Sequence, residues 1–317
     1  MSVLIRTYQG GDEEGIVAVW NRSMPQDPIS GAVFMKRVLA DVNFDPAGLF
    51  VALRDGRVAG ALFAVVRSTP MWGSDLEPGS AWITFFCVDP DYRRQGIGRA
   101  LFAAARDYCS ARDRKTVYFS SYAPNYFLPG IDAVAYPAGK LLLEAAGFRV
   151  YYGCAAMDKG LVGYEIPDDV RQLEVLRRSE GYDFGPLTMP YLTQVIDFST
   201  RVFNADWGRA IREALVQGVP MHRFLVAVRQ GIVEGFCMYG GYDGIAERFG
   251  PFGVDPQRQG AGLGKILLYR CMEAMRAEGL HTAWFLWTGE TSPAGHLYLR
   301  AGFAVTRRFE VMRLMLD

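Results

Sequence analysis

Two stretches of this chain bring glycines and cations together at a spacing suited to holding a phosphate. The first, V-D-P-D-Y-R-R-Q-G-I-G-R-A-L, runs from Val88 to Leu101, and the second, V-D-P-Q-R-Q-G-A-G-L-G-K-I-L, from Val254 to Leu267. Aligned on Val88 and Val254 they need no gap: Gly96 and Gly98 fall on Gly262 and Gly264, Arg99 on Lys265 and Leu101 on Leu267. A turn that aims several backbone N–H groups from a helix start is an anion site. Glycine lets a ligand approach that backbone with no Cβ in the way. Arg93, Arg94 and Arg99 in one copy, and Arg258 and Lys265 in the other, add cationic donors. The chemistry predicted is the binding of a phosphate-bearing ligand, at two places.

The elements that must position these loops also come twice. Val88 and Val254 lie 166 residues apart in a chain of 317, which is the offset of a duplicated domain and not of a solenoid unit. In the first half, strands are expected over Val3–Tyr8, Leu49–Leu53, Val58–Val66, Trp82–Val88, Thr116–Ser120 and Phe148–Met157. Helices are expected from Asp12, as N-cap, through Trp20, and over Gly31–Leu39, Gly96–Ala111 and Ala138–Ala146. Asp55-Gly56 signals a hairpin. The second half repeats this order without a clear first strand. Its helices are expected at Leu192–Phe203, Trp207–Val216, Leu263–Ala277 and Ala294–Ala301. Its strands are expected at Phe224–Val228, Ile232–Tyr239, Arg248–Val254, Thr282–Leu286 and Ala304–Leu316. A charged amphipathic helix over Asp168–Ser179 reads as the linker. The expected domains are 1–162 and 163–317, in an α+β class with a central, mostly antiparallel sheet flanked by helices.

Two familiar phosphate loops do not fit. A P-loop, G-x-x-x-x-G-K-[ST], would need glycine where Gln259 stands and Ser or Thr at Ile266. A dinucleotide fingerprint, G-x-G-x-x-G, would need a small residue at Leu101 or Leu267. The pattern that fits is [RQ]-x-x-G-x-[GA], as Arg93-Arg94-Gln95-Gly96-Ile97-Gly98 and as Gln259-Gly260-Ala261-Gly262-Leu263-Gly264. This resembles the coenzyme A signature of the GNAT superfamily of N-acetyltransferases. Each copy also follows V-D-P and precedes, one strand later, a helix ending in Gly-Phe: Gly147-Phe148 and Gly302-Phe303. An ordinary strand-to-helix turn could explain one such loop; co-linear features found twice argue against it.

The resemblance implies a sheet splayed beside each loop, with coenzyme A pyrophosphate on the loop and pantetheine along the preceding strand. That strand would be Phe85–Val88 in one half and Phe252, Gly253 and Val254 in the other. Gly250, Pro251 and Gly253 are poor residues for a central strand but suit a bulge or splayed edge. Tyr298 stands where the family places the proton donor to the departing thiolate, four residues before Gly302. In the first half that register holds Leu143, which cannot donate a proton. Glu247, before the second loop's strand, stands where many members hold a general base; an exposed strand-end carboxylate is the competing reading. His296 is read as surface, and no metal set is expected.

Composition is consistent with this reading. Lys+Arg and Asp+Glu are equal at 34 each, which gives no support to nucleic acid or an anionic membrane as partner. Five scattered cysteines suit reduced, buried thiols. The start of the chain has no signal-peptide pattern, and a cytoplasmic location is expected. Taken together, the expectation is a tandem protein with a degenerate first copy and a catalytic second copy. It would use acetyl-CoA to acetylate a primary amine of a small molecule or an amino terminus. The alternatives are a non-catalytic acyl-CoA-binding or regulatory protein, and an acyltransferase using a longer acyl-CoA. Oligomeric state stays open, a homodimer included.

Overall fold

The computed structural model describes residues 3–316; residues 1, 2 and 317 of the expected domain ranges lie outside it. In chain order the first repeat runs β1 (Leu4–Thr7), α1 (Glu13–Ser23), α2 (Gly31–Phe34), β2 (Leu49–Arg54), β3 (Arg57–Val65), β4 (Ser80–Val88), α3 (Ile97–Ser110), β5 (Thr116–Phe119), α4 (Pro137–Ala145) and β6 (Arg149–Gly160). Helix α5 (Asp168–Ser179) follows as expected. The second repeat runs β7 (Tyr182–Pro186), α6 (Leu192–Val202), α7 (Ala205–Val216), β8 (Phe224–Arg229), β9 (Ile232–Tyr239), β10 (Phe249–Val254), α8 (Leu263–Ala277), β11 (Thr282–Thr288), α9 (Pro293–Arg300) and β12 (Ala304–Met315). Strand β7 is the first strand that the sequence reading left out. It buries only Tyr182 and Phe184, on either side of Asp183, and then meets Gly185 and Pro186, so its alternation is too short to stand out.

The chain forms two compact units: everything described up to Cys154 together with the stretch from Arg307 on, and Ala155–Thr306. This grouping differs from the expected boundary in the final strand of each repeat. The first unit takes most of β12, and the second takes the end of β6.

In the first unit the strand order is β1-β2-β3-β4-β5-β12, antiparallel except for the parallel pair β4–β5. Asp55 (φ 51°) and Gly56 (φ 75°) make the β2–β3 turn, the left-handed pair that an Asp-Gly hairpin requires. Asp12 sits at the start of α1 but does not cap it: its carboxylate is taken by Arg6, at 2.6 Å, and by the Gln9 N–H, at 2.8 Å. Helix α3 lies on the sheet through Ile97, Leu101, Phe102 and Ala105.

Strands β4 and β5 stay paired only to Ile83 and Phe119, after which Ser120 N–H closes the last bond, to the Ile83 carbonyl at 2.8 Å. Beyond it they part. The β3–β4 register slips between Phe63↔Phe85 and Ala64↔Ile83, so Thr84 is an extra, bulged residue.

The second unit repeats the device. Its sheet order is β10-β9-β8-β7, and β11 pairs with β6. Strands β10 and β11 meet at a single parallel bridge, Arg248↔Trp284, and then separate. The β9–β10 register slips between Tyr239↔Phe249 and Cys237↔Phe252, across Gly250 and Pro251.

Candidate active site

Each phosphate-type loop is built by local rules. Asp89 accepts the Asp91 N–H at 3.0 Å and Asp255 accepts the Gln257 N–H at 2.8 Å, each capping the short 3-10 turn that its proline begins. That is why V-D-P recurs at both strand ends. Gly96 (φ 86°) and Gly262 (φ 79°) then take the left-handed position just before the helix. The second glycine serves packing. A Cβ on Gly98 would come 2.6 Å from a Leu142 methyl, and one on Gly264 would come 3.2 Å from the Phe252 ring.

The first loop is open. A Cβ on Gly96 would meet nothing within 4 Å. Among the described residues, no acceptor takes the N–H groups of residues 94–99, and no carboxylate pairs with Arg94 or Arg99. Arg93 reaches the Ser23 carbonyl at 3.3 Å, and Arg54 bonds Gln95. Free N–H groups and uncommitted cations are what a phosphate requires.

The second loop is covered by α5. Leu173 lies over Gly262, 2.7 Å from where a Cβ would stand, and Arg177 donates to the Ala261 carbonyl at 2.7 Å. Lys265 is bound to Asp169 at 2.5 Å and Arg258 to Glu234 at 3.0 Å. Among the described residues, the N–H groups of Gly262, Leu263, Gly264 and Lys265 have no acceptor. Residues 169, 173 and 177 fall on one face of the helix at i, i+4 and i+8, yet nothing in their types says that this face meets a loop.

Tyr298 lies where β10 and β11 part. Ser292 caps α9 by accepting the Gly295 N–H at 3.1 Å, and Pro293 starts it, which sets the register of Tyr298. Its ring is packed against Phe285 of β11 (centroids 4.5 Å apart), Phe303 (5.5 Å), and Phe249 and Phe252 of β10 (both 6.0 Å). Burial pushes the phenol well above its ordinary value, so it stays protonated. Among the described residues nothing hydrogen-bonds to its hydroxyl. Leu143 is fully buried in the core of the first unit.

Glu247 is half-buried in the turn before β10. Its carbonyl accepts the Trp284 N–H at 3.1 Å, and among the described residues its carboxylate has no partner. His296 is exposed. The five cysteines are buried and free. Among the described residues no helix is long and apolar enough to cross a membrane.

Comparison with known proteins agrees with this geometry. Residues 16–126 match the Acetyltransferase (GNAT) family, and residues 220–305 match the Acetyltransferase (GNAT) domain. A mycothiol acetyltransferase of Acidothermus cellulolyticus is 31% identical over 159 residues, 46% of this chain and 45% of that protein. The matched stretch thus spans less than half of that relative. Another, from Clavibacter michiganensis subsp. michiganensis, is 25% identical over 91% of this chain and 87% of its own length. Among solved structures, a GCN5-related N-acetyltransferase from Sphaerobacter thermophilus has a TM-score of 0.70 at 16% identity, covering 99% of this chain and 95% of its own. A tandem GNAT protein from the clavulanic acid biosynthesis pathway has a TM-score of 0.63 at 18% identity, covering 99% and 98%. At such identities the likeness is one of fold.

Proposed function

The chain belongs to the GNAT acetyltransferase family, as two tandem domains, and on that premise we propose that it acetylates a primary amine with acetyl-CoA by direct attack. The acceptor is a small molecule or an amino terminus; the name of the relatives supports the small molecule. The single observation that carries the reading is the Tyr298 hydroxyl, without a hydrogen-bond partner among the described residues, on a ring packed against Phe252 of β10 and Phe285 of β11 where those strands diverge.

An alkylammonium with a pKa of ~10.4 is neutral in only about one part in a thousand at pH 7. Glu247 is assigned the removal of that proton, directly or through water. As the nitrogen bonds to the acetyl carbon and the carbon–sulfur bond breaks, Tyr298 gives its proton to the departing sulfur. The second proton leaving the nitrogen restores the phenol. Phe252, Gly253 and Val254 offer β10 backbone to the pantetheine arm. Within the loop Gln259–Lys265, the N–H groups of Gly262, Leu263, Gly264 and Lys265 are assigned to the pyrophosphate, with Val88 and the loop from Arg93 to Arg99 as the corresponding site of the first copy.

Acetyl-CoA is incubated with a panel of amines and free thiol is followed; the expected result is release that depends on both substrates. A second reading, a non-catalytic acyl-CoA-binding or regulatory protein, is favoured by α5 lying over Gly262 and by Asp169 holding Lys265. Tight coenzyme binding with no thiol release from any amine would select it.

A further inference from the structure

The strand that completes each unit ends in the same way. In the second unit the Leu161 N–H donates to the His281 carbonyl at 2.8 Å, and in the first the Leu316 N–H donates to the Lys115 carbonyl at 2.8 Å. His281 and Lys115 stand at the 166-residue offset of the repeats. Two positions before each leucine, a side chain lies on the glycine of Gly-Phe. Lys159 Nζ is 2.8 Å from where a Gly302 Cβ would stand, and a Leu314 methyl is 3.0 Å from that of Gly147. Lys159 and Leu314 are therefore counterparts, as are Leu161 and Leu316, both buried.

Past the leucine the units differ. In the second, Tyr164 packs back on α8. It is buried, its hydroxyl donates to the Tyr269 carbonyl at 3.0 Å, and Lys159 Nζ stands 5.7 Å from its ring. In the first unit the corresponding place is a cavity of about 250 Å³ between α3 and α4. Ala103, Arg106 and Leu314, the counterparts of Tyr269, Met272 and Lys159, line it together with Ala145 and Ala146 at the end of α4. The fold thus seats a phenol ring here in one copy and leaves the seat open in the other. It is a different place from the phosphate loop, since in the second unit the chain itself fills it. The two seats also differ in charge. Met272 is buried and apolar, whereas Arg106 is exposed, and among the described residues no carboxylate pairs with it.

We propose that the groove between α3 and α4 binds a small phenol that carries an anionic substituent. The hydroxyl donates to the Ala103 carbonyl, whose second lone pair is available to it. The ring lies against Leu314, Ala145 and Ala146, and the anion pairs with the Arg106 guanidinium. A free small molecule fits better than a peptide segment like the one in the second copy, because Leu316 already holds the place of Leu161 and only the place of the ring is open.

The test uses the whole chain without acetyl-CoA. Calorimetry with 4-hydroxyphenylacetate as the probe compares the wild type with Ala103→Leu, Ala145→Leu and Arg106→Met. One site is expected in the wild type. It should be lost in both leucine variants, which fill the groove from exposed positions and leave the core untouched. Arg106→Met installs the residue of the second copy and should weaken binding by about two- to fivefold, as for an exposed ion pair. Phenylacetate, which lacks the hydroxyl, should bind the wild type roughly two- to twelvefold more weakly than the probe. No binding to the wild type, or equal binding to the wild type and both leucine variants, would overturn the proposal. Equal affinity for phenylacetate and the probe would overturn the assignment of a phenol.

Discussion

At the scale of single residues the two repeats have diverged at one register position. Tyr298 and Leu143 both stand four residues before the glycine of Gly-Phe, both are buried, and only one carries a proton. Tyr298→Phe keeps the ring among Phe249, Phe252, Phe285 and Phe303 and removes the donor alone. Turnover is expected to fall by ~10²–10⁴-fold, the usual contribution of general acid help, with acetyl-CoA affinity unchanged. Pre-steady-state thiol release, where chemistry limits the rate, checks this; normal turnover would remove Tyr298 from the mechanism. Leu143→Ala is the contrasting change. It opens a cavity in the first unit's core and should lower stability by about 2–5 kcal/mol, read from the urea midpoint.

At the scale of elements, α5 decides how accessible the second loop is. Asp169→Asn leaves the helix in place and frees Lys265 for a phosphate. Because exposed ion pairs are weak, coenzyme A affinity should rise by only about two- to fivefold, a change that calorimetry resolves; an unchanged affinity would mean that Lys265 does not reach the ligand. The helix itself is held by Glu174, which accepts from Arg270 at 2.5 and 2.8 Å and from Arg178 at 2.9 Å. Burial alone would raise the Glu174 carboxyl, but the two arginines outweigh it and hold it below its ordinary value. A depressed carboxylate stabilises the fold above the unfolded-state value, about 4.3, and that contribution is lost as pH falls through the lower folded value. Amide-exchange protection of α5 should therefore weaken on acidification below about pH 4. In Glu174→Gln that acid-dependent component should be absent. If wild type and variant show the same acid dependence, Glu174 is not what ties the helix down.

At the scale of the whole molecule, the compact units do not follow the two repeats to their ends. Residues from Arg307 on belong to the first unit, where Met312, Arg313, Leu314 and Met315 of β12 pair with Phe119, Tyr118, Val117 and Thr116 of β5. Met312 and Leu316 are buried in that unit's core. Ending the chain before Arg307 should therefore strip amide protection from Thr116–Phe119 while β8 and β9 keep theirs. Loss confined to β8 and β9 would contradict this grouping.

The sequence by itself determined what depends on local backbone needs. The duplication, the left-handed glycines at 96 and 262, the Asp-Pro caps, the Asp55-Gly56 turn and the α+β class are all written in neighbouring residues. Each follows from a φ angle, a missing N–H or a capping carboxylate. The residues at the proposed proton-donor register, Tyr298 and Leu143, were located by the resemblance, with Gly-Phe marking the helix end beside them. Only the tertiary structure decided which distant segments meet. The join of β12 to β5 is made by backbone hydrogen bonds, which are alike for any sequence of β character and leave no side-chain signature. The placing of Leu173 on Gly262, and of four aromatic rings around Tyr298, rests on packing between elements tens of residues apart. So does the bulge at Thr84. At each of these positions residue type sets whether a side chain is buried, and the fold sets against what.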